Sequence, residues 1–180
     1  LAAAPPGNEA EAGQEEPGPG RREKKSGSQS LLRKMEKTES LFLFMAAELM
    51  HFGGTILSEE VLALGRYFRK VRQAEQEQRP PDSLQFWGWS AEEIRERSAG
   101  LTEQMNISEF DLDLEKSRDA VALNYLRASL RELEPAISEV YRQEEESVCS
   151  RQDLLEAIAG LINILSLMIE KCGGGGKWQN

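Results

Sequence analysis

Between Leu123 and Val140 six aliphatic side chains recur at alternating steps of three and four: Leu123, Leu126, Leu130, Leu133, Ile137 and Val140. That spacing places all six on one face of a helix and suits helices packed at shallow angles. Pro135 falls inside the run. The pattern keeps its phase across the proline, so the spacing predicts a kink rather than an end.

The neighbouring segments read the same way. A first helix is expected from about Leu31 to Phe52, with Leu31, Met35, Phe42, Met45, Leu49 and Phe52 on one face and Gly53-Gly54 as its stop. Ser58 is placed to cap a second helix whose stripe is Val61, Leu64, Phe68 and Val71, and Pro80-Pro81 forbids continuation. A last helix is expected from Ser150, where Ser-Arg-Gln-Asp resembles a capping box, with Leu154, Ile158, Leu161, Leu165 and Met168 inward and Gly173 beyond its end. β-branched alternation gives no strand signal. The fold class is therefore all-α: four long helices and one short one, each burying a single apolar face in a helical bundle.

Composition divides the chain. Residues 1–29 hold four of seven prolines and no long aliphatic residue after Leu1, so they are expected to form a disordered or partner-bound extended tail. The bundle domain spans 30–172, and the glycine-rich 173–180 is expected to be a flexible tail. No apolar run reaches the roughly 18 residues of a membrane span; Leu154–Ile169 contains Glu156 and Asn163 and reads as a buried helix. With a formal net charge of −9, the protein is expected to be repelled by nucleic acid and anionic membranes. Arg21, Arg22, Lys24 and Lys25 form the basic cluster, read as a solubilising group in the tail.

The densest aromatic stretch is Gln85–Ile94, QFWGWSAEEI. Ser90 and Glu93 have the spacing of a capping box, and Trp89 and Ile94 then occupy the two positions of a hydrophobic staple. Trp89, Ser90, Glu93 and Ile94 thus define a structural helix start, for a short helix ending near Gly100. The staple leaves Phe86 and Trp87 unexplained. Together with Trp178 in the last tail, they are the candidate partner-binding residues, with packing across the bundle end as the alternative.

Motifs for chemistry are missing from the sequence. One histidine, His51, cannot form a two-histidine zinc site, and it is placed to interact with a helix C-terminus. Asp111–Asp119 alternates acids like the start of a calcium loop but carries Lys116 at the position that needs glycine. GGGGKW, from 173 to 178, lacks the spacing and hydroxyl residue of a phosphate loop. No catalytic residue, cofactor or metal is expected. Asn106-Ile107-Ser108 is a glycosylation sequon, but Cys149 and Cys172 flank the last helix at about 30 Å, beyond disulfide reach. Two thiols favour an intracellular or organellar setting over a secreted one.

Leu126–Ser138, LRASLRELEPAIS, with the helix from Ser150, resembles the middle helices of the PsbQ family, extrinsic four-helix-bundle subunits of photosystem II. The likeness covers a quarter of the chain, and the two helices before Pro80 have no counterpart in it. It implies a lumenal subunit docked on a larger complex. Two functional expectations stand. The first is a non-catalytic helical subunit or adaptor, docking on a larger protein assembly through a helix face, the aromatic loop and its tails. Any membrane association would then be peripheral, through that protein partner. The second is a bundle that binds a small apolar ligand or uses carboxylates for catalysis, which requires a crevice holding two raised carboxyl groups.

Overall fold

The computed structural model describes residue 3 and residues 19–52, 54–101, 114–142 and 149–173, with side chains from 26 and from 118 in the first and third of the long segments. The helices are α1 (Pro19–His51), α2 (Thr55–Gln76), α3 (Ala91–Arg97), α4 (Leu114–Arg131), α5 (Leu133–Val140) and α6 (Gln152–Gly173). Together they form the all-α helical bundle, with one two-stranded hairpin, β1 (Gln85–Phe86) and β2 (Trp89–Ser90).

The directions of the long helices follow from contacts along them. Ser58 lies against Ala46, and Arg69 and Arg72 reach Glu39, so α1 and α2 are antiparallel. Arg118 covers the Phe52 ring while Val140 lies against Gly27, so α4–α5 also runs opposite to α1. Arg151 pairs with Glu75, which joins the start of α6 to the end of α2. Around the bundle the order is α1, α2, α6, α4–α5.

Helix boundaries differ from expectation in ways local chemistry explains. α1 starts at Pro19, inside the stretch whose composition reads as a tail. Proline suits the first helical turn, and the Arg, Glu and Lys after Gly20 are good helix formers. Gly54 N–H closes the end of α1 onto Leu49 O at 2.9 Å. Ser58 is not a cap: α2 starts at Thr55, and the Ser58 hydroxyl, 3 % exposed, donates to Ala46 O at 2.6 Å, bonding the two helices across their interface. α2 ends where Gln78 takes a positive φ of 53° and Arg79 N–H returns to Ala74 O at 2.9 Å, a Schellman closure that precedes Pro80-Pro81. Ser150 is not a cap either. Its N–H and hydroxyl both donate to Tyr141 O, closing the α5–α6 connection, and α6 starts two residues later.

Pro135 acts three residues downstream of the break it causes. It offers no N–H to the Arg131 carbonyl and crowds it, so the helix is interrupted at Glu132, whose own backbone stays near-helical. Phase survives: Leu123, Leu126, Leu130, Leu133 and Ile137 are all at most 1 % exposed.

α6 departs furthest from a single apolar face. Leu154, Ile158, Leu161, Leu165 and Met168 are fully buried, and so are or nearly so Ile162, Ile164, Ser166, Leu167 and Ile169, which point in other directions. By length and composition alone Gln152–Cys172 is long and apolar enough to cross a membrane, and 67 % of its most apolar window is buried inside the fold. The missing cover comes from the chain between α2 and α4. Leu84 packs on Gly160, α3 lies along α6, and Tyr67 O–H holds Asp82 O at 2.9 Å. The crossover thus seals the α2–α6 seam.

Two features fix the helix pairs. Gly65 lets α2 approach so closely that a Cβ there would lie 2.9 Å from Phe42 Cβ, and Phe42 and Phe68 stack beside it with centroids 5.7 Å apart. At the far end the Glu75 carboxylate, fully buried, accepts from Arg151 at 2.8 Å and from the Tyr141 hydroxyl, while Arg151 also grips Asp153.

Gly65→Ala should cost about 1–3 kcal/mol by overpacking, and adding Phe42→Leu should recover part of it in chemical denaturation. Arg151→Ala should cost about 3–5 kcal/mol, because it leaves a buried carboxylate without its cation. The same measurement on Glu75→Gln/Arg151→Ala should show a loss smaller than the sum of the single changes.

Candidate functional site

Two surfaces gather the residues that could serve a function. The first is the hairpin. Trp87 and Gly88 form its two-residue turn with φ of 53° and 77°, the positive pair that marks a type I′ turn. Gly88 adopts this freely, whereas Trp87 bears a cost on the order of 1–2 kcal/mol for the left-handed region.

Contacts of the Trp87 ring offset that cost. Its indole N–H donates to Glu60 Oε1 at 2.6 Å, Lys171 Nζ lies 4.0 Å from the ring centroid, and Trp89 meets it edge-to-face at 5.4 Å. Phe86 lies on Trp87 at 5.3 Å, and the Arg97 guanidinium covers Trp89 at 4.2 Å. Each indole therefore holds one of the chain's own cations. Ser90 caps α3 with both capping-box bonds present: Glu93 N–H to Ser90 Oγ at 3.3 Å and Ser90 N–H to Glu93 Oε2 at 2.8 Å. The bond from Ser90 N–H holds the Glu93 carboxyl below its usual range. Ile94 is fully buried and Trp89 half-buried against the core.

Glu60 is the electrostatically costly member. Burial pushes its carboxyl above the ordinary range, against the opposing pull of the indole bond and Lys171, and its Oε2 is buried without a hydrogen-bond partner. Among the described residues the other raised glutamate is Glu134 on α5, pushed up by burial and opposed by Arg131. Glu60 is near the α1–α2 turn and Glu134 toward the opposite end of the bundle, so the two share no crevice.

The second surface is the seam between α1 and α4–α5. It is a groove of about 420 Å³, with Lys37, Leu41 and Phe44 on one wall and Tyr125, Ser129 and Glu132 on the other. Each wall follows the steps of four and three that line up along a helix. Phe44 is 56 % and Tyr125 54 % exposed. A smaller crevice of about 160 Å³ beside Tyr67 and Asp82 is below the usual size of ligand sites. There burial, with Asp82 adding to it, pushes the Tyr67 hydroxyl up to about 12.

Phe86, Trp87, Trp89, Ser90, Glu93 and Ile94 thus come together within the crossover, whereas Trp178 and the rest of the tail from 174, the sequon and Asp111–Asp113 lie outside the described residues. His51 ends α1 with its ring edge-on to Phe52 at 5.1 Å. Phe52, expected on the inner stripe, is 53 % exposed beneath Arg118 because α1 has ended before it. Among the described residues no cluster of three metal-ligating side chains occurs. Glu60, Lys171 and Arg97 are not singled out by sequence, since only the tertiary fold brings them to the tryptophans. Phe44 did have a signal: LFLFMAAELM from Leu41 to Met50 holds more apolar residues than one stripe needs, with Glu48 its one charge, whereas Tyr125 had none. No family model, no curated protein and no solved structure matches the chain.

The raised Glu60 carboxyl has a definite sign. A folded-state pKa above the unfolded value makes stability fall as pH rises from about 4.3 through the raised value. Glu60→Gln should remove that slope, so its melting temperature should gain on the wild type's as pH rises through this window. A constant difference at all pH values would contradict it.

Proposed function

We propose that the protein is a non-catalytic helical subunit or adaptor that docks onto a larger protein assembly through the α1–α4 seam. The observation that carries this reading is the contrast between two seams. The chain closes α2–α6 with its own crossover, while Phe44 and Tyr125 stand more than half exposed over α1–α4. A groove between two antiparallel helices accepts the ridge of a third, and exposed aromatics are frequent binding anchors. The expected occupant is an amphipathic helix of the partner, with an apolar side chain between Phe44 and Tyr125.

We place the docking face here rather than on Phe86 and Trp87, because those rings are engaged by Glu60, Lys171 and each other. A small apolar ligand is the second reading, since the groove volume falls within the usual range for such sites. The carboxylate enzyme reading draws no support from Glu60 and Glu134, which lie apart. An extrinsic photosystem subunit would be one instance of the docking reading, resting on the likeness of Leu126–Ser138 and the helix from Ser150.

Co-purification from the native source, read by mass spectrometry, tests the proposal. Tyr125→Ala should lose a partner that the wild type and Trp87→Ala retain, with binding weakened by about 30-fold or more for an anchor residue. Its melting temperature should stay near the wild type's. Retention of every partner by Tyr125→Ala would sink the seam, and a bound small molecule in native mass spectra would favour the second reading.

A further inference from the structure

Among the described residues three charged side chains are buried: Glu39, Glu75 and Arg127. Each glutamate is held by arginine, Glu39 by Arg69 and Arg72, and Glu75 by Arg151. Arg127, on α4, is 5 % exposed and among those residues has no acid against it. A guanidinium stays charged, so burying one without an anion is costly.

The partner it does have is a neutral amide. Its Nε–H and Nη2–H donate to Asn124 Oδ1 at 3.2 and 2.9 Å, along one side of the guanidinium, while Nη1 is buried without a hydrogen-bond partner. Asn124 therefore fixes the plane of the group and leaves the end of the fork, where one N–H of Nη1 and one of Nη2 point the same way. That edge matches two oxygens of one acceptor. Arg131, one turn further along α4, adds a like charge: burial lowers the pKa of Arg127, and Arg131 lowers it further.

We propose that the fork of Arg127 binds the carboxylate group of a small molecule. Shape and charge both select this class. Two coplanar oxygens suit the free edge, and Arg127 with Arg131, less Glu134 which opposes Arg131, leaves one positive charge to balance. Asn124 is half-buried and Arg131 exposed, so the fork lies one side chain below the surface of α4. A free carboxylate can reach that depth, whereas the short side chain of a docked acid is held back by its own backbone. Exposed Arg131 also draws anions to this flank of a chain whose net charge is −9. Arg127 lies two positions, about 200°, from Tyr125, on the side of α4 opposite the groove, so the site goes beyond the docking reading and is independent of it.

Melting of the full chain in sodium acetate, phosphate and chloride, at equal ionic strength and near neutral pH, is the test. A ligand held only by the folded state, at about ten times its dissociation constant, raises the melting temperature of a domain this size by a few degrees. Acetate should do so for the wild type relative to chloride, and for Tyr125→Ala equally. Arg127→Met should show no such gain, and in chloride should melt no lower than the wild type, because an apolar stem replaces an unpaired buried charge. Arg127→Lys keeps the charge without the fork and should need at least about tenfold more acetate for the same gain. Should Arg127→Met fail to fold, equilibrium dialysis of labelled acetate against wild type and Arg127→Lys decides, with one acetate per wild-type chain expected. No acetate gain in the wild type, or an equal gain in Arg127→Met, would overturn the proposal. A larger gain in phosphate than in acetate, lost in Arg127→Met, would overturn the choice of carboxylate.

Discussion

Covering α6 is the constraint on which the bundle depends. A helix with one apolar stripe needs one neighbour on that side, but α6 buries Leu154, Ile162, Ile164 and Ile169 in different directions. α2 and α4 supply two walls. The remaining seam is closed by a segment with little regular structure, in which Leu84, Ile94 and the tryptophan hairpin act as inserted side chains. Gly160 is part of this arrangement, since its missing side chain leaves room for Leu84 at a distance where a Cβ would sit 3.2 Å from Cδ2. The crossover therefore belongs to the core as much as the helices do.

The other helix pair is held by a different balance. α1 and α2 meet over Gly65, Phe42 and Phe68, and their flank is fastened by Glu39 between Arg69 and Arg72 at 2.5 and 2.6 Å. Burial raises the Glu39 carboxyl, but the two arginine bonds outweigh it and hold the group below its usual range. The stabilisation from this cluster is present above the unfolded pKa and is lost as pH falls through the lowered one. Its worth is modest, because Arg69 is half exposed and solvent screens the pair.

Sequence periodicity was sufficient for the helices and their phase, because one face of each is decided by burial and burial repeats with the helical turn. Val61, Leu64, Phe68 and Val71 are fully buried, and the α4–α5 stripe keeps its register across the break before Pro135. Local rules failed where tertiary contacts compete for the same group. Ser58 and Ser150 both have the chemistry of a cap, yet each gives its hydroxyl to a carbonyl on another element. The hairpin leaves no trace in the sequence pattern, because its strands are two residues long and its turn begins with tryptophan, a residue that rarely takes positive φ. Likewise, the aromatic cluster was visible as residues but its cations were not. The exposed side of α1 follows from composition rather than periodicity, since Leu41–Met50 holds more apolar residues than one stripe can use.

The topology also bears on how the chain reaches this structure. α1 with α2, and α4–α5 with α6, are two helical hairpins, each made from neighbouring stretches of sequence. Contacts within them span short loops, so each can gather its partners at small cost in chain entropy. The crossover packs on both halves, with Tyr67 of α2 holding Asp82 and Gly160 of α6 receiving Leu84, alongside the direct Glu75–Arg151 pair. Ordering of the Trp87 turn is thus coupled to docking of the halves, and its ring contacts with Glu60 and Lys171 form only when the two hairpins have met. The Trp87 ring is in this sense a natural reporter of docking, since it touches one residue from each half at a single point of the connection.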